Sequence, residues 1–110
     1  MQAAPRSGAP PLALDLGVRD DPEARALRRA LALYGDGKRA RAGAVFARYG
    51  SLEARVGREL AAWPNGTVAG LSRLLALYPK SALVELELGF AVFWAGQPGA
   101  EDAWRQAAVL

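Results

Sequence analysis

Helix-breaking residues recur along this chain at short, nearly regular intervals, and they limit each helix to roughly three or four turns. Gly35-Asp36-Gly37, Gly50, Pro64-Asn65-Gly66, Pro79 and Gly96-Gln97-Pro98-Gly99 divide the sequence after Asp20 into six segments. Pro removes a backbone donor and clashes with the preceding turn, while Gly readily takes the left-handed conformation that ends a helix. Between these stops the composition favours helix. Of 110 residues, 24 are Ala and 16 are Leu, and Ile is absent, so a β-rich fold is excluded on propensity.

Each segment carries apolar residues at three- and four-residue spacing. Asp20 or Asp21 caps a first helix, with Pro22 and Glu23 in its opening turn and a stripe of Leu27, Ala30, Leu31 and Tyr34. A second helix over Lys38–Tyr49 presents Ala42, Val45, Phe46 and Tyr49. The third runs from the cap Ser51 to about Trp63, with Leu52, Val56, Leu60 and Trp63 aligned. The fourth, capped by Asn65 or Thr67, uses Val68, Leu71, Leu74, Leu75 and Tyr78. Ser81 caps a fifth helix through Ala95, with Leu83, Leu86, Phe90 and Phe93 as its expected buried stripe. Glu85 and Glu87 then lie near its positive end, where an acid is mildly favourable. A sixth helix over Ala100–Val109 holds Trp104, Ala107 and Ala108.

Residues 1–19 read differently. Pro5, Pro10, Pro11, Gly8 and Gly17 forbid a continuous helix, so this segment is expected to be a flexible arm preceding a helical domain over 20–110. Leu12, Leu14 and Leu16 alternate, a pattern that would also let the arm lie extended along a helix surface.

The helices fall into pairs over about 21–49, 50–79 and 80–110. Gly57 and Gly89 each follow an apolar residue in the first helix of a pair and lie 32 positions apart. A two-helix period in the low thirties marks a helical solenoid. Small residues at Gly57, Gly89, Ala42, Ala100 and Ala107 suit helix axes roughly 8–10 Å apart, and Phe46 and Trp104 fill the space beside such contacts. The competing arrangement is an irregular helical bundle.

This pattern resembles the tetratricopeptide repeat family. Its motif has Leu-Gly in the first helix, then Ala, a large aromatic and Ala in the second, with Pro at the close. Leu88-Gly89, Ala100, Trp104 and Ala107 match it in the last pair, and Tyr78-Pro79 closes the pair before. The middle pair offers Val56-Gly57, Leu60 and Ala69, and the first offers Ala30, Leu33, Gly37, Ala42 and Phe46. The resemblance implies an all-α fold, a right-handed superhelical array of about three antiparallel hairpins. It also implies a concave face, lined by the first helix of each pair, that holds a partner peptide or helix. On this chain that face would include Arg28, Arg55, Arg58, Phe90 and Trp94. The plainer alternative has the arginines solvated and the two aromatics packed against a following repeat. The last helix ends at Val109-Leu110 with no polar capping helix, so either a truncated end or self-association is expected there.

Few reactions remain open to such a chain. Without His or Cys it lacks the usual general base, the commonest metal ligand and a thiolate nucleophile. Glu85 and Glu87 stand two apart, and Glu101-Asp102 opens a helix, so neither pair suggests acid–base work. No catalytic residue, metal site or cofactor is therefore expected. The net charge is +3, with ten basic side chains between Arg19 and Arg58. That bias leaves a second reading open, a nucleic-acid or polyanion interface built from Arg25, Arg28, Arg29, Lys38, Arg39 and Arg41. No run reaches the roughly 18 apolar residues of a membrane span, and the N-terminus lacks a secretory pattern, so a cytoplasmic interaction scaffold is the expected role.

Overall fold

A computed structural model describes residues 8–96, and within them the chain forms five α-helices and no strand. The sixth helix, with Ala100, Trp104 and Ala107, lies outside the described residues. Helix α1 spans Pro22–Gly35, α2 Arg39–Phe46, α3 Leu52–Ala61, α4 Thr67–Leu77 and α5 Ala82–Trp94.

Local chemistry sets most of these ends. Asp21 accepts the Ala24 N–H at 3.0 Å and starts α1. A hydrogen bond from Arg19 and the Ala24 amide hold the Asp21 carboxyl down at about 2. Ser51 and Ser81 cap α3 and α5 in the same way, each accepting the amide three residues on at 3.2 Å. Each such cap satisfies an amide the helix itself cannot. Helix α1 ends at Gly37, whose φ of +80° permits two closing bonds, Gly37 N–H to the Tyr34 carbonyl and Lys38 N–H to that of Leu33. Helix α4 departs from expectation at its start. Its cap position is Gly66, and the buried Thr67 hydroxyl instead donates to the Glu59 carbonyl of α3 at 2.9 Å.

Each helix packs on its successor, and α3 also touches both α1 and α5. Two apolar clusters result. Leu27, Ala30, Ala42, Phe46 and Ala54 form one, and Val56, Leu60, Leu71, Leu74, Val84 and Ala91 form the other. Each fully buried Leu, Val or Phe in these clusters contributes roughly 1.5–3 kcal/mol. Phe46 lies against Gly57, joining α2 closely to α3 as the small-residue pattern suggested.

Gly70 makes the close approach of α4 to α3. A Cβ there would fall 1.7 Å from the carboxylate of Glu59. That carboxylate ends a flexible, half-buried side chain and can swing toward water. Gly70→Ala also gains up to ~1 kcal/mol of helix propensity, so its net effect is expected to lie within ~1 kcal/mol of zero. A chemical denaturation midpoint for the variant checks this.

Helix α5 corrects the expected register. Its buried residues are Val84, Glu85, Glu87, Gly89 and Ala91, while Leu83, Leu86, Phe90 and Phe93 are half-buried. The helix is apolar on nearly every side, so two stripes compete, and packing against α4 and α3 selects the one that contains Glu87.

Candidate interaction face

In place of a free lead-in, residues 10–16 lie in non-helical conformation against the helices. Pro10 and Pro11 supply no amide hydrogens and hold the chain out of helix. Alternation then sends Leu12, Leu14 and Leu16 to one side of the segment. Leu16 is 6 % exposed within the first apolar cluster, and Leu12 and Leu14 are half-buried against both clusters. The alternating leucines, not the Pro and Gly content, decide where this segment lies.

Polar groups fix the segment at two places and the turn after it at a third. Tyr34 of α1 donates its hydroxyl hydrogen to the Pro10 carbonyl. The Ala13 amide donates to Glu87 Oε1 of α5 at 2.7 Å, across 74 residues of sequence. Arg28 of α1 donates from Nη2 to the carbonyls of Gly17, at 3.4 Å, and Arg19. The segment thus runs from α1 to α5, and α3 touches both of those helices. At its Pro end an open cleft of about 440 Å³ is lined by Pro10, Pro11 and Leu12 of the segment and by Leu31, Tyr34 and Arg39.

Glu87, expected only as an acid near the positive end of α5, is completely buried in the structure. Burial disfavours its charged form and pushes its carboxyl up to about 7, although the Ala13 amide acts in the opposite direction. The second oxygen, Oε2, is buried and has no hydrogen-bond partner among the described residues. Tyr34 senses the same environment. Its phenol is raised well above the ordinary value, first by burial and then by the negative charge of Glu87, with Arg39 opposing. One signal for Glu87 was available in the sequence, since an acid within a helix apolar all round has no solvent face to occupy.

The expected contact residues separate into three groups. Arg28 is engaged with the backbone carbonyls of Gly17 and Arg19, in the turn that follows the segment. Arg55 and Arg58 are exposed on α3. Phe90 and Trp94 are half-buried and meet edge-on at 6.5 Å, with Phe93 also against Trp94 at 5.9 Å. Of the basic residues weighed for polyanion binding, Arg25 pairs with Asp20 at 3.8 Å. None of the described helices is long and apolar enough to cross a membrane. No family model matches the chain, and neither a curated protein nor a solved structure does.

Proposed function

We propose that this chain is a non-enzymatic interaction scaffold of tetratricopeptide-like hairpins that takes up an extended segment of a partner protein. The observation that supports this reading is the seating of residues 10–16, in which side chains of α1 and α5 grip the backbone of a segment lying across them. Contact of α3 with both α1 and α5 agrees with stacking of the first helices of successive pairs, the arrangement such a face requires. Backbone contacts supply affinity without regard to sequence, and apolar contacts at alternate positions supply selectivity.

The polyanion reading receives less support. Arg28 is occupied by carbonyls, and Arg19 and Arg25 have acidic neighbours, Asp21 and Asp20. Panning a random peptide library on the full chain is expected to enrich extended, leucine-containing segments. Their affinity should fall less than ~5-fold between 50 and 200 mM salt, whereas several phosphate contacts would lose ~10³-fold or more. No enrichment, together with oligonucleotide binding that collapses over that salt range, would contradict the scaffold reading.

A further inference from the structure

We infer that residues 10–16 are a built-in occupant of a peptide site, and that the site receives from a partner an extended segment of the same chemistry. That chemistry is three apolar side chains at alternate positions, with a non-proline residue after the first to offer its amide to Glu87. The inference rests on the scaffold reading and specifies the partner for its face.

Three observations separate an exchangeable segment from a fixed strap. The first is what the core is made of. Apart from Pro10 and Leu16, every buried residue among those described comes from a helix, so the helices supply most of the core. The second is the attachment. Gly17 takes a φ of +57° and Val18 is fully exposed, so the segment joins α1 through a turn with no buried side chain at its outer corner. An Asp15 carboxylate accepting the Gly17 amide at 3.0 Å and the Arg28 grip on the Gly17 and Arg19 carbonyls hold that turn.

The third observation is Glu87. A buried carboxylate with one unpartnered oxygen lowers stability, and a permanent strap would be held better over an apolar residue or an amide. A carboxylate aimed at a backbone amide recognises a peptide by its main chain, and its spare Oε2 remains for a donor that this arm does not bring. Because the arm is tethered close by, it competes at an effective concentration in the millimolar range, and a partner must exceed that to enter.

The test uses the full chain and a labelled synthetic peptide with the sequence of residues 8–19, followed by fluorescence anisotropy. Two variants loosen the arm: Leu12→Asp with Leu14→Asp, which sets charges against apolar surface, and Ala13→Pro, which removes the donor to Glu87 and fixes the backbone there. Both are expected to keep their helical circular dichroism and to bind the peptide at least ~10-fold more tightly than the unaltered chain. A peptide carrying proline at the Ala13 position should lose that binding. If both variants lose their helical signal, the arm is an integral part of the fold and the inference is overturned. If they stay folded and bind no peptide, it is overturned as well. Elution of the unaltered chain as a concentration-dependent dimer that the peptide dissolves would assign the site to a second copy and overturn the partner assignment. Library-selected peptides that bind all forms equally, without competition from the arm peptide, would leave the scaffold reading standing while this inference fails.

Discussion

Phe46→Ala is expected to lower stability by ~3–5 kcal/mol, the range for emptying a buried aromatic site. Phe46 is fully buried and is the largest such side chain among the described residues. It lies against Gly57, where an added Cβ would fall 2.5–2.6 Å from three ring carbons. The ring, enclosed by α1, α2 and α3, cannot move aside as the Glu59 carboxylate can at Gly70. Gly57→Ala is therefore expected to cost ~2 kcal/mol net, since overpacking near ~3 kcal/mol exceeds a helix-propensity gain of ~1 kcal/mol. Combining Gly57→Ala with Phe46→Leu should restore part of the loss, because the smaller side chain vacates the space the new methyl needs. A double-mutant cycle by chemical denaturation measures this coupling. Additive losses would show that the two residues do not share the contact.

The second large effect concerns pH. Glu87 titrates at about 7 when folded, against 4.5 for the free side chain. Between those values the folded chain binds more protons than the unfolded chain, so stability falls as pH rises. Glu87's contribution is fully present below about 4.5 and is lost by the time pH has passed 7. The difference amounts to roughly 3 kcal/mol at the upper end of that range. Glu87→Gln cannot ionise, and its carbonyl oxygen can still accept the Ala13 amide. The variant is expected to lie ~1 kcal/mol below the original at pH 4.5, through an unpartnered amide donor, and to exceed it by ~2 kcal/mol at pH 8.5. Because the chain has no His and no Cys, few other groups blur this window. Equal stabilities at pH 8.5 would show that Glu87 is not buried as described.

What could be read in the sequence was chiefly local. Asp21, Ser51, Ser81 and Gly37 begin and end helices through bonds to amides and carbonyls within a few residues, so their roles follow from neighbouring sequence. That Gly57 admits a close helix contact and that Phe46 fills space beside such contacts was legible, but not that the two meet each other. Helix α5 was harder. Its Leu83–Leu86–Phe90 and Val84–Glu87–Ala91 stripes are comparably apolar apart from one acid, and only the position of α3 and α4 decides between them. The face that holds the arm was also out of reach. It depends on Ala13 meeting Glu87 over 74 residues, and no periodicity within either segment encodes that pairing. Arg28 stood among the expected contact residues, but its partners are backbone carbonyls, which carry no signature in sequence.

The seating of the arm against Glu87 is what the functional reading rests on, and the amide of Ala13 reports on it directly. In ¹⁵N-resolved spectra of the full chain, that amide is expected to exchange slowly with solvent. Its proton shift should follow pH with a midpoint near 7, the value at which Glu87 ionises. An Ala13 amide that exchanges as fast as an unstructured peptide and shows no such titration would contradict the account.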